Sequence, residues 1–239
     1  MPPLKISSPL LALPSNTALA VALPPLSTQL HYLTPFEIET AEKIPNKKSR
    51  ENYLAGRIAA HKALEMLGAP TSLPIKTDPD SVPLWPEGVV GSISHSCSVG
   101  ICLAAFEKDF NFVGVDIENY KRSVSPSFIE KMLKESSLLS AFRVFEEKEK
   151  AVLLFSAKEA LFKGIFNALR IKVPFSKCVL TQLLSPNKLI FSVEIAQQPQ
   201  EYAVAFTKWE DFFIALEGEE NLKVKKNIRI PTQTIPNKK

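Results

Sequence analysis

Cysteine is scarce in this 239-residue chain: Cys97, Cys102 and Cys178 make an odd number with no C-x-x-C pair. Neither a disulfide framework nor a cysteine-based zinc site is indicated. All three are expected to be buried as small apolar side chains, which suits a reducing cytoplasm. No apolar run is long enough to span a bilayer. The apolar stretch from Leu10 to Leu26 is broken by Pro14, Pro24 and Pro25 and lacks a basic start, which argues against a secretion signal. Its part from Ala18 to Leu23 is expected to be a buried strand. Internal repeats and low-complexity tracts are absent, and so is a strong charge of one sign. The formal charge is +4, but Lys223, Lys225, Lys226, Arg229, Lys238 and Lys239 lie in a terminal stretch without acids, and without those six the remainder is −2. The basicity therefore says little about nucleic acid and describes an end segment, residues 221–239, expected to be loose. At 45% hydrophobic and 23% charged residues the rest is ordinary globular protein, long enough for one large domain or two small ones.

What is present in quantity is acid where packing would not place it. Gly114-Val115-Asp116-Ile117-Glu118 reads as a strand, in which side chains alternate between faces. Val113, Val115 and Ile117 share one face; Gly114, Asp116 and Glu118 share the other. Two carboxylates two residues apart repel unless a cation lies between them. The same pattern equally suits an exposed strand face with two solvated acids. Phe155-Ser156-Ala157-Lys158-Glu159-Ala160-Leu161-Phe162-Lys163 reads as part of a helix from about Glu146 to Leu169. Val152, Phe155, Phe162, Phe166 and Leu169 form an apolar stripe at helical spacing, and Glu159 interrupts it. A glutamate in such a stripe is costly unless it is paired or binds a metal. Lys163, at i+4, offers an ion pair worth about 0.3–0.5 kcal/mol, which accounts for the lysine but not for the acid's position.

Between these landmarks the pattern alternates helix and strand. A helix is expected from about Ser49 to Leu67, ended by Gly68 and Pro70, followed by irregular chain to Pro86. Gly91 to Ser96 opens a strand rich in hydroxyls around His95. Val99, Ile101 and Leu103 alternate in the next strand, and Lys108 to Asn111 is a turn. A helical region spans roughly Ser127 to Phe145. Leu189–Ile195, Tyr202–Thr207 and Phe212–Glu217 read as an antiparallel meander. Helices grouped apart from strand runs argue an α+β fold. Ser92, Ser94 and His95 are donors suited to phosphate oxygens, or simply a strand end. Arg50, Leu54, Arg57, His61 and Leu64 share one helix face, either a phosphate clamp or a solvated basic edge. Lys158 points about 100° away from Glu159, toward a ligand or toward solvent.

Taken together, these residues resemble the 4′-phosphopantetheinyl transferases, in particular the bacterial type that activates enterobactin and surfactin synthetases. The resemblance rests on Gly114-Val115-Asp116 followed by Phe155-Ser156-x-Lys158-Glu159-Ala160-x-x-Lys163. Leu54-Ala55-Gly56-Arg57-Ile58-Ala59-Ala60, Pro83-Leu84-Trp85-Pro86 and Gly91-Ser92-Ile93-Ser94-His95 add to it. It covers about Arg50 to Lys163. It implies two similar α/β halves related by a pseudo-twofold, with coenzyme A in the cleft between them. Residues 1–112 would form the nucleotide side and 113–220 the metal and catalytic side. The reaction implied moves the phosphopantetheine arm of coenzyme A to a serine of an apo acyl or peptidyl carrier protein and releases 3′,5′-ADP. Asp116, Glu118 and Glu159 would hold Mg²⁺, which prefers oxygen ligands, with Mn²⁺ as an alternative. Glu159 would also take the serine proton, Lys163 would serve the leaving phosphate, and Lys158 would contact the transferred phosphate. Ser94 and His95 would bind nucleotide phosphates, with Arg50 and Arg57 near the 3′-phosphate or adenine. By the same resemblance, Glu135 would correspond to a further acidic residue of the family. Related enzymes often carry a basic residue shortly before the Pro-x-Trp-Pro segment; Asp80, Ser81 and Val82 stand there, so that contact is absent or comes from Lys76 or Lys47. A monomer is expected. Two other functions fit the same acids: a Mg²⁺-dependent hydrolase of nucleotide pyrophosphates, and a non-catalytic module that binds carrier proteins or coenzyme A.

Overall fold

Small residues alternate with branched ones in Thr17–Ala22, which forms strand β1. Ala18, Ala20 and Ala22 face one side while Leu19 and Val21 face the other. The computed structural model describes residues 16–134, 138, 142–184 and 187–220; Glu135 and the basic tail lie outside them. Two helices follow β1, α1 (Pro35–Glu42) and α2 (Lys47–Leu67). Asn46 caps α2 by accepting from the Ser49 amide. Gly68 ends it in the left-handed region at φ 72°. Strands β2 (Val89–Ser96) and β3 (Val99–Phe106) form a hairpin, and β1 pairs with the other edge of β3. The three strands make a sheet of order β1-β3-β2.

The second half opens with β4 (Phe110–Asn119), then α3 (Pro126–Lys134) and α4 (Glu147–Leu169). Strands β5 (Cys178–Leu184), β6 (Lys188–Ile195), β7 (Gln198–Trp209) and β8 (Phe212–Glu220) complete a five-stranded sheet of order β4-β8-β7-β6-β5. All strand pairings are antiparallel. This is an α+β fold.

Three apolar clusters set the layers. The alanine face of the first sheet packs with Ala55, Ile58, Ala59 and Ala63 of α2. The opposite face, through Leu19, Val21, Ile101 and Leu103, meets Val113, Val115 and Ile117 of β4 and Ile214 and Leu216 of β8. The other side of the second sheet packs on Leu153, Leu154, Ala157, Leu161 and Ile165 of α4. The order is helix, sheet, sheet, helix. In both halves the helix touches the sheet at a glycine. A Cβ on Gly100 would lie 2.1 Å from the Ala55 carbonyl oxygen, and one on Gly114 would lie 2.0 Å from that of Ala160.

Several expectations shift. Helix α4 buries only part of the predicted stripe: Val152 and Phe166 are buried and Phe155, Phe162 and Leu169 half-buried, while Ala157, Ala160, Leu161 and Gly164 are buried as well. Small residues let the helix approach the sheet, and the bulky rings flank the contact. Glu159 consequently sits at the border of that face, half-buried, rather than within the core. Of the region expected to be helical from Ser127 to Phe145, the described residues hold α3 at its start, and residues 142–146 are not helical. Cys102 and Cys178 are buried as expected, but Cys97 is exposed. Cys97 and Ser98 form the two-residue tip of the β2–β3 hairpin at φ 53° and 63°, and such a turn faces solvent.

Candidate active site

Where the two sheets pack, their edge strands β2 and β4, the last of one order and the first of the other, lie next to each other. No backbone ladder joins these edges among the described residues; side chains do. The Val115 amide donates to Ser92 Oγ at 3.1 Å, and Asn167 Nδ2 donates to the Gly91 carbonyl at 3.2 Å. Between those bonds lies Asp116, which β4 turns away from the valine face and toward α4.

Asp116 is buried, and donors fill it. Its Oδ1 accepts from Lys163 Nζ at 2.6 Å and from Ser94 Oγ at 2.8 Å; its Oδ2 accepts from Ser156 Oγ at 2.8 Å. Lys163 Nζ also donates to Ser94 Oγ at 2.9 Å. Two residues on, Glu118 faces Arg122 Nε at 3.4 Å. Burial and then the Asp116 carboxylate push the Glu118 carboxyl up to about 7, with Glu159 adding to the effect and Arg122 and Lys163 opposing it. Burial also raises the Glu159 carboxyl; Asp116 adds to this and Lys163 opposes it. The three acids thus lie within electrostatic reach of one another. Among the described residues, no three His, Cys, Asp or Glu side chains close into a metal-sized cluster.

On the other side of the seam, Ser94 and His95 must point to opposite faces of β2. Ser94 is buried and turned to Asp116. His95 is exposed at the strand end beside α2. Crowding on the protein side of its ring, together with the Lys163 and Arg57 cations, holds its imidazole below the usual range, against the opposing pull of Asp116. Arg57 is only 7% exposed, stands 5.0 Å over the Tyr53 ring, and its Nε has no hydrogen-bond partner. Among the described residues no carboxylate pairs with it. Arg50 lies two turns earlier on α2 and is half-buried. His61, on the same predicted face, is instead a core residue. Its Nε2 lies 2.9 and 3.0 Å from the two oxygens of Glu37, and both residues are essentially inaccessible.

Lys158 is 1% exposed and donates to the Phe175 carbonyl at 3.0 Å. The ammonium therefore lies under the segment after α4 rather than at the surface. In the irregular segment before β2, Asp78 accepts from the amides of Asp80 and Val82 and pairs with Arg170 Nη1 at 2.6 Å. The acid ties this segment to the end of α4. Lys76 stands over the Phe36 ring at 5.1 Å, and Lys47 is 3.9 Å from Glu51.

Ser156 carried no assigned role in the sequence, and Ser92, read there as a phosphate donor or a strand end, instead accepts from the Val115 amide. Ser156 precedes Lys163 by seven residues, two helical turns, so both fall on one face. That spacing was available; its target on β4 was not. The hairpin tip is likewise held by α2, with Ser98 Oγ donating to Glu51 and the Ser98 amide to Asn52.

Two family models tile this architecture. The 4′-phosphopantetheinyl transferase N-terminal domain matches residues 40–106, and the 4′-phosphopantetheinyl transferase superfamily matches residues 112–217. The chain belongs to the 4′-phosphopantetheinyl transferase superfamily. Within the superfamily it is similar to enterobactin synthase component D of Salmonella typhimurium (strain LT2), 32% identical over 146 residues, which is 57% of this chain and 56% of the relative. The protein of that name from Salmonella typhi is 33% identical over 147 residues, with the same coverage. The 4′-phosphopantetheinyl transferase Npt of Nocardia iowensis is 31% identical over 122 residues, 49% of this chain and 52% of the relative. The chain spans about half the length of the curated relatives it matches. Among the described residues no helix is long and apolar enough to cross a membrane.

Proposed function

We propose that this chain is an enzyme that transfers the 4′-phosphopantetheine arm of coenzyme A to a serine of an apo acyl or peptidyl carrier protein, releasing 3′,5′-ADP, with Mg²⁺ held by Asp116, Glu118 and Glu159. The observation that carries this reading is a single seam where three mutually repelling carboxylates meet one lysine. The donor set fits a hard dication: all three are oxygen ligands. Burial first, and then the Asp116 carboxylate, raises the Glu118 carboxyl, and Arg122 and Lys163 only partly oppose them. The dication would neutralise charge that builds on the diphosphate of coenzyme A. Water and phosphate oxygens would complete its shell.

The chain's own groups do the rest. Glu159, raised by burial and by Asp116, is suited to accept the proton of the carrier serine as its oxygen attacks phosphorus. Lys163 is suited to hold the phosphate that departs with the nucleotide. Arg57 supplies a desolvated guanidinium for an anionic group of the ligand, with Arg50 two turns away on α2. His95 offers a ring nitrogen at the mouth of the seam. Ser94 acts by fixing Asp116 and Lys163, and Lys158 by anchoring the Phe175 segment beside α4.

The test is incubation of the chain with Mg²⁺, coenzyme A and a panel of apo acyl and peptidyl carriers, followed by intact-mass measurement. A gain of one phosphopantetheine on a carrier is the expected result. Glu159→Gln should lower the rate by about 10²–10⁴-fold while the protein stays folded. No added mass on any carrier would overturn the proposal, and wild-type turnover in Glu159→Gln would remove the proposed base.

A further inference from the structure

The donors around Asp116 differ in kind. Ser156, on Oδ2, is fully buried in the middle of α4. Lys163, on Oδ1, has a side chain 26% exposed on a flexible four-carbon stem. Both come from one helix face, two turns apart. One oxygen of the carboxylate is therefore held by a buried hydroxyl alone, and the other by the buried Ser94 hydroxyl together with a partly exposed cation. That cation sits 2.6 Å from Oδ1, in the place a metal ion bound to that oxygen would take.

We propose that the Lys163 ammonium is a resident counter-ion of Asp116, which must leave Oδ1 before a divalent cation enters, while Ser156 holds Oδ2 throughout the exchange. The inference rests on the proposed metal-dependent reading in one respect only, that a dication enters at Asp116. Asp116, Glu118 and Glu159 together carry more negative charge than one ammonium and Arg122 offset. A dication among them makes the ammonium redundant and repels it. Once released, Lys163 needs another anion for its three N–H donors, and phosphate oxygens in the seam supply one. A dication alone must compete with Lys163; a dication arriving with a diphosphate ligand need not. Metal and coenzyme A should therefore bind cooperatively, each raising the affinity for the other by the same factor.

The experiment titrates Mn²⁺ into the full chain and follows loss of the free-ion electron paramagnetic resonance signal, with and without coenzyme A and with no carrier present. The wild-type chain should bind Mn²⁺ weakly alone and more tightly with coenzyme A. Lys163→Gln should bind Mn²⁺ alone about tenfold tighter than wild type, because a charge in direct contact has been removed, and should gain less from coenzyme A. Lys163→Arg, which keeps the charge and grips a carboxylate with two donors, should bind Mn²⁺ alone no better than wild type. Ser156→Ala should weaken Mn²⁺ binding with and without coenzyme A. Its coenzyme A affinity in the presence of a chelator should be unchanged, a separation that a general folding defect would not give. If wild type binds Mn²⁺ with coenzyme A but Lys163→Gln binds it alone no tighter than wild type, the counter-ion role is overturned and the transferase reading stands. Tighter Mn²⁺ binding by Lys163→Arg would overturn the role by itself, should the glutamine variant fail to fold. If wild type binds no Mn²⁺ even with coenzyme A, both readings fall.

Discussion

Gly114→Ala is the smallest change that separates the scaffold from the chemistry. The added Cβ would lie 2.0 Å from the Ala160 carbonyl oxygen, 2.9 Å from its carbonyl carbon and 3.1 Å from the Gly164 amide nitrogen. Ordinary contact for such atoms begins near 3.5 Å, so helix and strand must separate by about 1 Å or more. The obstructing atoms are backbone and cannot rotate away. Strain of this kind costs about 1–3 kcal/mol, read as a lower urea midpoint with an unchanged slope. The functional cost should be larger than that suggests. Ala160 is the neighbour of Glu159, and Gly114 precedes Asp116 by two residues, so the forced gap opens between the proposed base and the acids opposite. A displacement of about 1 Å at a reacting site lowers turnover by about 10²-fold. The assay is phosphopantetheine transfer measured as kcat/KM, beside urea unfolding of the same preparation. A variant that unfolds at the wild-type midpoint and retains more than half its activity would show that the Gly114–Ala160 contact does not set the spacing.

Elsewhere the structure makes equally direct claims. Glu37 accepts from Thr34 Oγ1 and the amides of Thr34 and Ile75 and pairs with His61, all in the core, so Glu37→Ala should destabilise by about 3–5 kcal/mol in urea unfolding; a loss under about 1 kcal/mol would refute it. Burial alone would raise the Glu37 carboxyl, but the bonds from His61 and Thr34 outweigh it and hold the group below its ordinary value of 4.5. Its contribution to stability is therefore present above that value and lost as pH falls through the lower, folded one, and the variant's stability should be flatter with pH in that window. Glu118, raised to about 7, should make Mn²⁺ affinity in the ligand-free chain fall as pH drops below 7, by up to about tenfold per unit, and level off above it; equal affinity at pH 6 and pH 8 would contradict this. Arg57→Gln should weaken coenzyme A binding about tenfold by calorimetry without lowering the melting temperature of the free chain, because the guanidinium is buried and its Nε has no partner; unchanged affinity would remove Arg57 from the ligand site.

How much of this the sequence disclosed follows from which forces were local. The alternation that put Asp116 and Glu118 opposite Val115 and Ile117 is a period-two signal, and β4 keeps it. The long helices α2 and α4 were marked by their apolar recurrence and, for α2, by Gly68, and their ends fall within two residues of expectation. Helix α1, with Thr34 capping Glu37, was not foreseen; eight residues give too little periodicity. Strand β5 was also missed, because a register shift between Leu180 and Gln182 breaks its alternation and its outer edge is open. The stripe on α4 was rotated by giving weight to large aromatics, whereas Ala157, Ala160 and Gly164 make the close contact. His61 and Lys158 were read from helical position alone. Their burial depends on Glu37 and Phe175, residues 24 and 17 positions away, and no local pattern carries that information.

The joint between the sheets has a consequence for how this architecture can vary. Among the described residues no main-chain group of one edge bonds a main-chain group of the other; each bond across the gap has a hydroxyl, amide or acid side chain on at least one side. Main-chain ladders are indifferent to which residue occupies a position, but this joint is written in residue identity. Single exchanges at Ser92, Ser94 or Asn167 can therefore widen or narrow the mouth while both sheets keep their registers, which lets ligand access diverge among relatives faster than the folds of the two layers.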